Sequence, residues 1–430
     1  MVKKCLDEIV VYVLTVITLV FLLILSCTIS SEKIIQNQIG LVEAFQYRGV
    51  LPSVPMGQYG VKIDFWTESY YINNACVLDS KQPFYEAFAN TVMVEGENPL
   101  QYMTNAITNA DLSNKVERPQ YWWGGRIIIR PLLYIMDYES AITLWQIVFW
   151  GIFISFAGII YKHYHPMIFF AFMLGIYSVN LITASLIFHT SFVWVIAFLA
   201  CIFIFRGKIN YIRIFMLSGL FTAFFDWMST PIITFLLPMT IMLLEKNCQG
   251  KESALEGVRK FIKAGMVWAM SYGITQVLRW GGASVILSKN VFKMGSERAS
   301  QHGIMAEGSF WNVFCSDVKL CTTQLSVNVF ALGHKWISEN WLWIFTLLVL
   351  IFAFIVALIN KKNQMGMLFS VIAVCPFVWI AVFRGWFNIH YWFAYRIFGM
   401  TILLLMLSLF YTLKSIKETV VNEGNIKMDN

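Results

Sequence analysis

Residues 9–30 read IVVYVLTVITLVFLLILSCTIS, a run without a charged side chain that is long enough, as a helix, to cross the hydrocarbon core of a bilayer. Apolar runs of this kind recur along the chain, and no other feature limits its fold as much. In lipid each backbone polar group needs a partner within the protein, which leaves helices as the natural form of such runs. The first run is too long for a signal-peptide core and lacks a small-residue cleavage site, so it reads as a retained helix. Hydrophobic residues make up 58% of the 430 and charged residues 13%, and the mean hydropathy is +0.64. Those values exclude a large soluble enzyme and place the chain among polytopic membrane proteins. The net charge of +7 is no nucleic-acid footprint, because no basic cluster sits on a soluble domain.

Ten spans are expected, at about 9–30, 139–161, 166–184, 187–205, 212–226, 230–244, 261–280, 340–360, 364–383 and 392–413. The fold class is therefore all-α, a single transmembrane domain over 1–430. With Lys3 and Lys4 placed in the cytoplasm, the inner connections YKHYHP, RGKINYIR, 245–263 and NKKN and the tail from Lys414 all carry basic residues. The outer turns at 183–190 and 226–231 carry none, and the one before the last span carries only Arg384. This bias predicts a multi-pass protein of the cell membrane with both termini cytoplasmic.

Two long loops then fall outside, at 31–138 and 281–339. The first holds the amphipathic pieces PFYEAFANTVMV and PLQYMTNAITNA, and its aromatic content predicts an ordered layer of interfacial helices. The second, with SFWNVF and SVNVFALGHKWI, has the same character. There is no internal repeat and no inverted pair of broken helices, which argues against a repeat-built transporter. Cys315 and Cys321 bracket SDVKL on the outer side, where a local disulfide and two free thiols are equally compatible with the spacing. No CxxC or Cys/His zinc spacing occurs, and the HxH pair His163 and His165 reads as solvated interfacial residues.

Within the first loop, YWWGGRIIIRPLL places Arg126 and Arg130 one helical turn apart among aromatics and aliphatics. Either the pair snorkels to lipid headgroups or something anionic faces it. Gly124 and Gly125 permit close backbone approach, and Pro131 is expected to kink or end the turn. In KIDFWTES, Asp64 and Glu68 share a helical face beside Phe65 and Trp66, where an apolar setting raises a carboxyl group toward the working range of a base. The structural alternative is that the two carboxylates cap and solubilise a helix start. Asp79, Glu86 and Asp137 are lesser candidates. Ionisable residues also gather at the outer span ends: Asp226 in FFDWMSTP, Arg279 in VLRWGG, and Arg384, His390 and Arg396 in FRGWFNIHYWFAYR. For each, a helix-joining ion pair or an interfacial belt residue is the plain explanation.

The long outer loop with an early acid, the second outer loop after span 7 and the arginines at outer span ends resemble the GT-C superfamily of integral-membrane glycosyltransferases. KIDFWTES, YWWGGRIIIRPLLYIMDY, FFDWMSTPIITFLLP and NIHYWFAYR are also similar to segments of an uncharacterised group of polytopic proteins of Gram-positive bacteria. The GT-C resemblance implies a carboxylate acting on the acceptor, Asp64 being the matching position with Glu68 beside it. It further implies basic residues that hold the phosphate of a polyprenyl-linked sugar: Arg126 and Arg130, with Asp226, Arg279, His390 and Arg396 around the substrate. The partners it implies are that donor, a cell-envelope glycan or lipid acceptor, and membrane lipids. The chain departs from the pattern in lacking a paired acidic dipeptide in the loop and a large soluble C-terminal domain. No cofactor is evident, and no metal ligand set stands out, although Asp64 and Glu68 leave room for a divalent ion. Three alternatives share the same outer face: a polysaccharide polymerase or ligase, a lipid-linked glycan flippase or other transporter, and a non-catalytic scaffold of a glycan-assembly complex.

Overall fold

A computed structural model describes residues 2–54, 61–108, 114–248, 254–301, 308–329, 348, 351, 355 and 364–428. Among these the regular structure is helical apart from two short antiparallel strand pairs, Ser53–Val54 with Val61–Lys62 and Val92–Met93 with Lys115–Val116. Five helices are long and apolar enough to cross a membrane: Leu6–Cys27, Tyr138–His163, Phe188–Arg206, Gln364–Val382 and Trp386–Ser415. Shorter apolar helices, Pro166–Ser178, Tyr211–Phe225 and Ile233–Glu245, and the long helix Ala254–Leu287 occupy the other expected positions. The expected span at 340–360 falls outside the described residues except at 348, 351 and 355.

Local chemistry sets the helix ends. Asp137 caps Tyr138–His163 by accepting from Ser140 N at 2.8 Å, and His165 with Pro166 opens the following helix. The expected span at 166–184 breaks after Ser178, because Asn180 adopts a left-handed conformation (φ +50°) and its side chain caps Leu181–Ser185. Gly207, at φ +63°, ends Phe188–Arg206. The second long loop starts later than its composition suggests, since Ala254–Leu287 continues as one helix through 281–287. It is followed by Val291–Gln301 and Phe310–Val329, on which Cys315 and Cys321 are both free thiols.

The elements sort into two ends. At one, the basic connections meet: Tyr164 donates to Glu245 at 2.6 Å, and Arg213 holds Glu8 with two bonds of 2.8 and 3.2 Å. At the other, the first long loop forms a layer with its own hydrophobic core, built on Phe45, Tyr71, Ile72, Met103, Trp123 and Leu133. The second loop docks there too, where Asp317 accepts from Gly385 N at 2.6 Å.

The arginine helix Arg126–Ile135 fastens this layer to the bundle. Arg126 and Arg130 are fully buried one turn apart, and each guanidinium serves helix C-termini, whose last carbonyls lack intrahelical partners. Arg130 donates to Ser26 O at the end of the first span, to Ile29 O beyond it, and to Ala75 O near the end of Phe65–Val77. Burial pulls its pKa down to about 10, so it remains charged at neutral pH. Arg126 reaches Glu86 O and Ala87 O at the end of Pro83–Ala89, and Asn90 Oδ1 at 2.8 Å. Pro131, expected to end the turn, sits inside the helix, bracketed by the bonds Ile129 N to Gly125 O and Met136 N to Leu132 O. Entry to the helix is tight: a Cβ on Gly124 would collide with the Phe224 ring and carbonyl, and one on Gly125 would lie 2.8 Å from the Phe192 ring.

Arg130→Lys is expected to lower the thermal unfolding midpoint in detergent, because an ammonium cannot span carbonyls from three separate segments. The carbonyls left unpaired should cost about 2–4 kcal/mol. A midpoint equal to that of the native chain would show that charge alone, and not the fork, holds this junction.

Candidate functional site

The helix Phe65–Val77 and its preceding residue carry the two acids of KIDFWTES into the protein. Asp64 is the N-cap, with Oδ1 accepting from Thr67 N at 3.1 Å and Oδ2 from Thr67 Oγ1 at 2.7 Å. It is only 2% exposed, so it caps the helix without solubilising it. Glu68, one turn later, is fully buried and accepts from Tyr138 Oη, Phe188 N and His189 N at 2.9–3.1 Å. Its carboxyl group thus satisfies the first N–H groups of Phe188–Arg206 at the positive end of that helix.

Both acids meet at one residue, His189. Glu68 holds its main-chain N–H, and Asp64 Oδ2 lies 3.9 Å from its Nε2. Neither ring nitrogen of the buried His189 has a hydrogen-bond partner. Arg396, in the turn Tyr395–Ile397, approaches from the last helix, anchored by bonds to Val179 O at 3.3 Å and Thr183 Oγ1 at 3.2 Å. Burial raises the pKa of Asp64, while the Thr67 bonds and the Arg396 charge pull it back. Aromatic rings close the site around His189: Phe393 at 5.8 Å, Trp227 at 6.1 Å and Tyr71 at 6.3 Å.

The other residues singled out by sequence lie farther from this centre or in different roles. Arg126 and Arg130 cap helix ends as described. Arg279 does the same, donating to Pro119 O, Ala87 O and Phe88 O at 2.7–2.9 Å while lying over the Phe88 and Trp122 rings. Asp226 ends Tyr211–Phe225 and is 4% exposed; Oδ1 accepts from Ser229 N and Oγ, and Oδ2 has no partner. Among the described residues no basic group lies within ion-pair distance of it. His390 sits at a kink (φ −123°, ψ 21°) and stacks at 5.4 Å on Phe393, one ring away from His189. Among the described residues no three His, Cys, Asp or Glu side chains converge as a metal set.

Sequence reasoning missed His189 and Trp227. A signal existed for the first: it is an ionisable residue at the mouth of an apolar span, in a turn otherwise free of charge. Trp227 lay beside Asp226 in FFDWMSTP and passed as one of many interfacial aromatics. In the structure it stacks between Tyr71 at 4.5 Å and Tyr121 at 5.3 Å. No protein-family model, curated protein or solved structure matches the chain.

Burial raises Glu68 from 4.5 to about 7, against the pull of its three hydrogen bonds. The group keeps its proton in the folded chain at pH values where the unfolded chain has lost it. Its stabilisation is complete below about pH 4 and is lost as pH rises to about 7. Unfolding midpoints should therefore fall across that interval. Glu68→Gln should reduce the slope. A slope untouched by this substitution would place the titration elsewhere.

Proposed function

We propose that this chain is a membrane glycosyltransferase of the GT-C type, with about ten spans and both termini cytoplasmic. It moves a sugar from a polyprenyl-phosphate-linked donor to a cell-envelope glycan or lipid acceptor at the outer face of the cell membrane. The observation that carries this reading is Asp64, a buried carboxyl group under the charge of Arg396 and beside a histidine whose ring nitrogens are unpaired. A buried acid of raised pKa suits a general base, and a guanidinium near it suits a departing phosphate.

In this mechanism the acceptor hydroxyl gives its proton to Asp64 as its oxygen bonds to the anomeric carbon. The bond from that carbon to the phosphate oxygen breaks, and its electron pair leaves with the phosphate, stabilised by Arg396. Glu68 is a positioning residue, because its oxygens are committed to Tyr138 and to the N-terminus of Phe188–Arg206. Arg126, Arg130 and Arg279 support the site from behind, with their guanidiniums on main-chain carbonyls. Sidedness rests on the basic connections that gather at the end opposite Asp64.

Asn caps a helix as well as Asp does, so Asp64→Asn leaves the fold intact and removes only the base. Purified protein with labelled polyprenyl-linked sugars and envelope acceptors should lose transfer by about a hundredfold or more in this variant. Arg396→Lys should lose about tenfold. Full transfer by Asp64→Asn would sink the mechanism, and no transfer by the native chain with any donor would favour the scaffold.

Topology is tested separately. Cysteines introduced at the exposed Lys81 and Lys293 should react with an impermeant thiol reagent on intact cells, and those at Lys162 and Lys208 should not. The reverse pattern would put the site on the cytoplasmic face.

A further inference from the structure

At the end of the bundle opposite Asp64, where the basic connections meet, four helix ends surround a cavity of about 360 Å³, within the size range of small-molecule sites. Gly207, at φ +63°, turns the chain between Phe188–Arg206 and Tyr211–Phe225. The connection 207–210 is short, and Asn210 opens the next helix by accepting from Ile212 N at 3.2 Å. Ile233–Glu245 and Ala254–Leu287 complete the enclosure. They pack closely at Gly257, where a Cβ would lie 3.3 Å from Leu243 and 2.7 Å from Leu368.

The lining is of two kinds. Ile204, Ile214 and Met242 supply aliphatic surface, to which Tyr211 adds a half-buried ring. Glu245 and Lys260, also half-buried, supply one carboxylate and one ammonium. Glu245 is fixed in the wall by Tyr164, whose hydroxyl donates to Oε1 at 2.6 Å. Lys260 follows the close-packed Gly257 by one turn on the same helix face. A plain anion entering this cavity meets Glu245 and a plain cation meets Lys260, each at a cost, whereas a ligand bearing both signs satisfies both walls.

We infer that this cavity binds one phospholipid with a primary-amine headgroup, of the ethanolamine type. The headgroup ammonium donates to Glu245, the phosphate accepts from Lys260, and part of an acyl chain lies along Ile204, Ile214 and Met242. The aliphatic surface is what selects a lipid over a soluble zwitterion, since it has no role for the headgroup alone. The position agrees: the cavity lies at the end of Phe188–Arg206, a helix long and apolar enough to cross a membrane, and a headgroup belongs at that level. The site is separate from Asp64 and does not depend on the transferase reading.

Native mass spectrometry of the delipidated full-length protein in detergent tests this with phosphatidylethanolamine, phosphatidylcholine and phosphatidylglycerol of matched chains. Phosphatidylethanolamine should bind about tenfold or more tightly than either of the others, because phosphatidylcholine has no ammonium N–H to donate and phosphatidylglycerol has no cation. Glu245→Gln keeps an acceptor for Tyr164, so the unfolding midpoint should hold while the preference falls to about threefold or less. Ile209→Trp, at the half-buried rim, should fill the mouth and weaken phosphatidylethanolamine by about tenfold with the charges untouched. Equal binding of the three lipids, a preference that survives in Glu245→Gln, or tight binding that survives in Ile209→Trp would each overturn the site. So would displacement of the lipid by free phosphoethanolamine at equal concentration, since the ligand would then be a soluble zwitterion. None of these measurements uses turnover, so an intact lipid preference in a protein without transfer would remove the transferase reading alone.

Discussion

The fold depends on how helix ends are satisfied where water is scarce. A helix that stops at the bilayer surface leaves up to four carbonyls without partners, and burying them unpaired costs far more than a surface loop would. This chain ends three helices, Leu6–Cys27, Phe65–Val77 and Pro83–Ala89, in one packed region and meets their carbonyls with Arg126, Arg130 and Arg279. A positive group at a helix C-terminus also opposes the negative end of the macrodipole. Few side chains other than a guanidinium could donate in several directions and stay charged at such burial.

Glu68 performs the complementary task. Where the arginines meet carbonyl ends, it meets the N–H groups at the start of Phe188–Arg206. The first long loop is therefore fixed to the bundle by side-chain hydrogen bonds to both kinds of helix terminus, with an aromatic core between them. That fixity gives Asp64 its place. It is set one turn before Glu68 by the helix they share, and Glu68 is set by His189 N–H, so the Asp64 to His189 approach follows from main-chain geometry.

Much of this was legible in the sequence. Nine of the ten apolar runs coincide with helices, since length and hydropathy decide the matter where lipid or core is the environment. The shared face of Asp64 and Glu68, the one-turn spacing of Arg126 and Arg130, and the close approach at Gly124 and Gly125 also followed from period and residue type. The partners of these groups did not. That Arg130 would meet Ser26 and Ala75, or that Glu68 would meet His189, depends on contacts between segments far apart in the chain, which no local pattern encodes. The break at Asn180 shows the converse, a local left-handed cap overriding a hydropathic run.

In the proposed mechanism Asp64 combines two roles that are usually kept apart, helix cap and base. As an N-cap it is held by Thr67 and by the positive end of Phe65–Val77, both of which favour its ionised form. Its burial favours the neutral form, and burial is the larger effect. A carboxyl group balanced in this way changes its charge in response to what enters beside it: an arriving phosphate raises its proton affinity, and the cation of Arg396 lowers it. A rigid cap is also a group that cannot swing toward a substrate. In the proposed mechanism the substrate is therefore brought to Asp64, along the wall of rings from Tyr121 through Trp227 to His189.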